Sequence, residues 1–214
     1  MKYQLIPVTP FQQNCSLIWC EHSFKGAVID PGGDLERILA TVTKNNVQVE
    51  QILLTHGHID HVGAAQCLAE QLDIPIVGPH VADRFWLEGL PKQSQHFGFV
   101  HCDPFVPHHF LQEGDEVKVG QQILSVLHCP GHTPGHIVFF APATGVAWVG
   151  DVLFKGAIGR TDFPQSDHQA LINSITQKLW PLGNEVLFIP GHGPLSTLGE
   201  ERATNPFVAD QLFD

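Results

Sequence analysis

Thr55-His56-Gly57-His58-Ile59-Asp60-His61 sets four metal-capable side chains inside one short stretch. Positions i and i+2 diverge on a helix, so this spacing does not suit one helix face. It suits a turn where a strand ends and a helix begins. Upstream, Val49, Ile52, Leu53 and Leu54 read as a buried strand; downstream, Ala64, Ala65, Leu68, Ala69 and Leu72 carry helical periodicity. A metal ion would then sit in a crevice at the carboxyl end of the strand, where α/β proteins place their ligands. His56 and His58 can aim at one ion, Asp60 and His61 at a second. Imidazole suits zinc or iron, and the carboxylate adds a hard oxygen donor. The plain alternative is a His-rich surface turn without metal, and the density of donors argues against it.

The chain has 214 residues, 43% hydrophobic and 15% charged, which suits one sizeable globular core. Net charge is −11 and no Lys/Arg run exists, so a nucleic-acid backbone is not an expected partner. No stretch has the length of a transmembrane span or a signal sequence. The cysteines (Cys15, Cys20, Cys67, Cys102, Cys129) are odd in number and form no CxxC pair. A reduced, cytoplasmic setting is expected. Cys129 beside His128 could be a nucleophile, but a small buried hydrophobe is the usual fate of a free cysteine.

Taken in order, Tyr3 to Val8, Asn14 to Trp19 and Ala27 to Ile29 read as strands. Asp30-Pro31-Gly32-Gly33 is a turn, in which Asp30 either shapes the chain or orients a ligand histidine from behind. Asp34 is expected to cap a helix with Leu35, Ile38, Leu39 and Val42 on one face. Residues Pro91 to Pro107 look irregular; their His96, His101 and Cys102, with His108 and His109 beyond, match no ligand spacing. Phe85, Trp86, Phe97, Phe99 and Phe105 suit core or pocket wall. A rigid loop, Gly131-His132-Thr133-Pro134-Gly135-His136, presents His132. Asp151 follows a strand after Gly150, and His192 follows the last strand in Pro190-Gly191-His192-Gly193. Between them, Lys155 and Arg160 sit on a glycine-rich loop, where a cation can meet substrate or form a structural ion pair.

His-x-His-x-Asp-His resembles the signature of the metallo-β-lactamase superfamily, and Gly-His-Thr-Pro-Gly-His at 131–136 matches that family letter for letter. The resemblance spans His56 to His192. It implies a four-layer αββα sandwich of two mixed sheets and a two-ion site. His56, His58 and His132 would hold one divalent ion, and Asp60, His61 and His192 the other. Asp151 would bridge them, with Asp30 behind and His136 structural. Zinc is expected first, with iron or manganese as alternatives. Two divalent ions outweigh two carboxylates and a hydroxide, leaving positive charge for a developing oxyanion, and coordination brings water's pKa from 15.7 to roughly 7.

Gly150-Asp151-x-Leu153-Phe154 and Gly159-Arg160 resemble the glyoxalase II branch, in its short YcbL-type subgroup. That implies hydrolysis of S-D-lactoylglutathione to D-lactate and glutathione by attack of a metal-bound hydroxide. Asp60 and Asp151 would be the catalytic carboxylates, and Arg160 and Lys155 would meet the substrate. True metallo-β-lactamases usually carry Cys in place of Asp151. Glyoxalase II adds a C-terminal helical domain for which the segment after His192 is too short, so a single domain over 1–214 is expected. It also often has Tyr where Pro194 stands. Iron-dependent persulfide dioxygenases share Gly-Arg-Thr-Asp-Phe at 159–163 and are the second reading. A non-catalytic metal-binding protein is the third, although no ligand is lost. A monomer or small homo-oligomer is expected, acting on a small thioester and on neither nucleic acid nor membrane.

Overall fold

Side chains of successive strand residues point to opposite faces, and here both faces are apolar. In the computed structural model, which describes residues 1–212, β1 (Lys2–Val8) and β2 (Gln13–Trp19) pair antiparallel. β3 (Lys25–Ile29) joins β2 antiparallel, then β4 (Gln48–Leu53) and β5 (Ile76–Val77) add on parallel. The second sheet runs antiparallel through β6 (Glu116–Val119), β7 (Gln122–His128), β8 (Ile137–Ala141) and β9 (Val146–Gly150). A small hairpin, β10 (Leu153–Phe154) and β11 (Ala157–Ile158), interrupts it. Then β12 (Leu187–Pro190) pairs parallel with β9, and β13 (Ser196–Thr197) closes the edge antiparallel.

Three buried clusters fix the layers. Ile18, Ala27, Ile29 and Leu53 of the first sheet pack with Val126, Phe139, Trp148 and Ile189 of the second. Their chain neighbours face outward. Leu17, Val28 and Ile52 pack with Ile38 of α1 (Leu35–Asn45) and Leu68 of α3 (Ala65–Leu72). Val138, Ala147 and Phe188 pack with Leu171 and Ile172 of α6 (His168–Ser174). The order is therefore helix, sheet, sheet, helix, as the resemblance implies. Burying one such Phe or Leu contributes roughly 1.5–3 kcal/mol, so the period-2 pattern specifies register strongly.

Several local expectations need correction. Asp34 does not cap α1. It takes φ 50° and makes no capping bond, and its Oδ2 instead accepts from Thr9 N at 2.8 Å, tying the β1–β2 turn to the helix start. The segment from Pro91 is regular at first: α5 (Leu90–Phe97) is a helix, and its proline sits in the first turn, where no intrahelical N–H bond is lost. It follows α4 (Arg84–Glu88) directly. After α6 the chain continues as a π turn (Ile175–Leu179) and a 3-10 turn (Trp180–Leu182), and α7 (Leu198–Thr204) is the last α-helix among the described residues.

Parallel pairing puts carboxyl ends side by side. Asp30 follows β3, His56 follows β4, Asp151 follows β9 and His192 follows β12, so all meet at one edge of the sandwich. The short α2 (Ile59–Val62) carries Asp60 and His61 there.

Candidate metal centre

Three imidazole nitrogens converge at this edge. His58 Nδ1 lies 3.1 Å from His56 Nε2 and 3.0 Å from His132 Nε2. A second group joins Asp60, His61 and His192, with His192 Nε2 3.1 Å from Asp60 Oδ2. Asp151 stands between the groups. One oxygen is 3.4 Å from His61 Nε2, the other 3.6 Å from His132 Nε2 and 3.8 Å from His192 Nε2. The structure thus brings together all seven residues expected as ligands.

The outer nitrogens are tied to protein. His132 Nδ1 donates to Arg160 O at 2.8 Å, His192 Nδ1 donates to Phe11 O at 3.1 Å, and His61 Nδ1 pairs with Asp30 Oδ2 at 2.9 Å. His56 Nδ1 is 3.0 Å from Thr55 Oγ1, whose hydroxyl donates to Asp30 Oδ2 at 2.6 Å. This is the arrangement by which ligand imidazoles are oriented. Of the two readings of Asp30, the structure supports the one that orients a histidine.

The donor set fits metal ions. Asp151 Oδ1 and His61 Nε2 are buried at the cluster without a hydrogen-bond partner among the described residues, and buried polar atoms are rarely left so. Burial pushes His56, His58 and His132 below the usual imidazole range, and their mutual repulsion adds to this for His56 and His58. Neutral imidazole is the ligating form. Burial also lowers His61, but the Asp151 and Asp60 carboxylates outweigh it and raise the group. Burial likewise opposes the ionised form of Asp151, and His61, His132 and His192 overcome it to hold that carboxyl well below its ordinary value. The carboxylates therefore draw positive charge to this spot, which a cation would supply.

Two further side chains support the centre. His136 stacks on His56 at 4.6 Å, and its Nε2 accepts from Asp151 N at 3.0 Å, so it fixes the strand end that carries Asp151. Gln93 of α5 accepts from Ile59 N at 3.0 Å and donates to Trp86 O at 2.9 Å and Gly57 O at 3.3 Å. No spacing signal announces such a glutamine. The cluster opens into a cavity of about 1040 Å³ whose apolar wall includes Phe11, Trp86, Phe97, Phe154, Phe163 and Ile158.

Residues 8–192 match the profile of the metallo-beta-lactamase superfamily. The chain belongs to that superfamily. It is 47% identical over 209 residues to hydroxyacylglutathione hydrolase GloC of Haemophilus influenzae, covering 97% of this chain and 98% of that protein. Among solved structures it is similar to the BLEG-1 B3 metallo-beta-lactamase, with a TM-score of 0.89 and 34% identity, covering 97% of this chain and 99% of that one. It is also similar to TTHA1623 in a di-iron-bound form, with a TM-score of 0.87 and 38% identity, covering 96% and 100%. The superfamily fold with these His/Asp groups suits a binuclear divalent metal site.

Other expected residues fall on either side of the cavity. Arg160 lines it, but its guanidinium is already paired with Asp162 (2.9 and 2.8 Å) and lies 4.6 Å above the Phe163 ring. Lys155 is not among the residues that line it, although Phe154 beside it is. It sits at the β10–β11 turn, where Gly156 N donates to Glu201 Oε2 at 2.8 Å, and it pairs with Glu200 at 3.5 Å. These two contacts tie the turn to α7. Cys129 is buried, and burial pushes its thiol up to about 12, so it is core and not a nucleophile. His101 pairs with Asp103 at the surface and His108 Nδ1 accepts from Ile76 N, so neither belongs to a metal-ligand group.

Proposed function

We propose that this protein is a metal-dependent thioester hydrolase of glyoxalase II type, cleaving S-D-lactoylglutathione to D-lactate and glutathione. The observation that carries the reading is Asp151 placed between the two ligand groups, in a chain similar end to end to a hydroxyacylglutathione hydrolase. His56, His58 and His132 would hold one ion, Asp60, His61 and His192 the other, with Asp151 shared. Zinc suits these donors, as do iron and manganese. When bound, such a pair supplies Lewis acidity and a nucleophile drawn from water at neutral pH.

The chain's own residues do the rest. Asp60 and Asp151 line the cavity, where their ionised carboxylates would hold the cations in place. Trp86 packs edge-on to His58 at 4.5 Å and Phe163 tilts against it at 4.8 Å, which keeps bulk water from that ligand. Water exclusion strengthens every charge interaction inside. We read the chain as a single domain acting in a reducing compartment, the cytoplasm, where glutathione thioesters arise. The free state of all five cysteines agrees with that, and no helix among the described residues is long and apolar enough to cross a membrane.

The test is an anaerobic assay with S-D-lactoylglutathione. Hydrolysis that stops on chelation and returns with added metal is the expected result. Oxygen consumption with glutathione persulfide, and no anaerobic thioester cleavage, would move the chain to the dioxygenase reading instead.

Arg160 supplies a second test. Its side chain already has a partner and lies at the exposed rim, so its contact with the thiol portion is worth little. Arg160→Ala should raise KM about 2- to 5-fold, the range of an exposed ion pair, with kcat and metal content unchanged. The His132 bond survives because it uses the Arg160 carbonyl. Steady-state kinetics at matched metal loading decide it, and an unmoved KM returns Arg160 to a purely structural pair.

A further inference from the structure

Nothing in the sequence pattern marks Asp83. It ends a 3-10 turn (Val81–Asp83) just before α4, and it is fully buried. Oδ2 accepts from Gly57 N at 2.9 Å and from the Thr133 hydroxyl at 2.8 Å; Oδ1 accepts from Gly135 N at 2.6 Å. Gly57 lies between His56 and His58, and Thr133 follows His132. One carboxylate therefore joins the two loops that carry the three converging imidazoles. Those loops come from different sheets, one after β4 and the other between β7 and β8, and Asp83 belongs to neither sheet.

The packing around it is tight. A Cβ on Gly57 would stand 2.6 Å from Trp86 Cβ, and one on Gly135 would stand 2.7 Å from Asp83 Oδ1. Neither glycine has a positive φ; each is needed because only hydrogen fits where its loop closes on this segment. Burial raises the Asp83 carboxyl, to about 7 even with the bonds from Thr133, Gly57 and Gly135 pulling it down. Three donors favour the ionised form, and burial outweighs them.

We propose that Asp83 is a positioning residue that staples the two loops, so that His56, His58 and His132 are set for one ion before it arrives. The proposal rests on the metal-centre reading alone and is independent of the thioester. It predicts an unequal defect, because the bonds of Asp83 fall at Gly57, Thr133 and Gly135, beside His56, His58 and His132, and none reaches α2, which carries Asp60 and His61, or the loop that carries His192.

The experiment titrates Co²⁺ into metal-free protein, follows the visible absorbance of each equivalent, and measures urea unfolding of the metal-free form alongside. Asp83→Asn keeps the volume but turns one acceptor oxygen into an NH₂. Thr133→Val removes a single donor. Orienting groups behind a ligand typically change metal affinity 10- to 100-fold, so Asp83→Asn should weaken one of the two equivalents by about that factor and leave the other near wild type. Thr133→Val should weaken the same equivalent by less. Two wild-type affinities in Asp83→Asn would overturn the staple. So would an equal weakening of both in step with lost unfolding stability, since that describes a general structural role. If Asp83→Asn does not fold, Thr133→Val decides, and unchanged Co²⁺ binding there overturns the proposal. A wild type that binds no Co²⁺ overturns the metal centre itself, and the staple with it.

Discussion

Asp151→Ala should leave a folded protein that no longer retains two ions. The carboxylate lies within 3.8 Å of three ligand histidines drawn from both groups, so its loss touches both ions at once. Its own burial is offset by those histidines and, in the holoprotein, by the cations. With Ala in its place, His61 Nε2 loses its 3.4 Å neighbour and the space fills with water. Metal content after full reloading should fall by at least one equivalent per chain. Thioester hydrolysis should fall on the order of 10³-fold, since metal polarisation is worth several kcal/mol of barrier. Elemental analysis and the anaerobic assay check both numbers. Two retained equivalents would show that Asp151 does not bridge the groups.

The second large effect is expected from Asp30→Ala, which never touches substrate. Asp30 accepts from Thr55 N at 2.7 Å, from the Thr55 hydroxyl at 2.6 Å and from His61 Nδ1 at 2.9 Å. All three donors are buried and would lose this acceptor. Stranding a buried donor costs about 1–3 kcal/mol each. Asp30 also sits at φ 51°, which Ala tolerates poorly. A loss of about 3 kcal/mol or more in urea unfolding of the metal-free protein is the expected result. Affinity for the ion held by His61 should also fall by roughly 10- to 100-fold. Asp30→Asn separates the two effects, because Asn accepts the positive φ but cannot accept all three bonds. It should recover much of the stability and little of the affinity. Full recovery of both would reduce Asp30 to a turn residue.

The candidate ligands were legible because the family motif preserves their types and order along the chain. Strands were legible as short apolar runs, continuous where both faces are covered, as in β9, and alternating where one face meets water, as in β6. Local chemistry misled where a tertiary partner competed for the same atom. Asp34 has the composition of a helix cap, yet Thr9 N takes its carboxylate. Pro91 reads as an irregular segment, yet it begins the helix that walls the cavity.

By itself, the sequence determined most of the strand pattern, the His and Asp residues of the candidate metal centre and, through its motifs, the superfamily. These are properties of residue type and spacing, and they survive being read one position at a time. Only the tertiary structure decided what holds the ligands in place. Gly32 reads as a turn glycine, but its φ is not positive, and a Cβ there would collide with the Asp60 carbonyl. Gly191 is likewise small because Asp151 and His61 pack against it. His136, Gln93 and Asp83 act through atoms 15 to 52 residues away in the chain. Such contacts carry no local periodicity, so no window of sequence contains both partners, and only the closed fold brings them within hydrogen-bond distance.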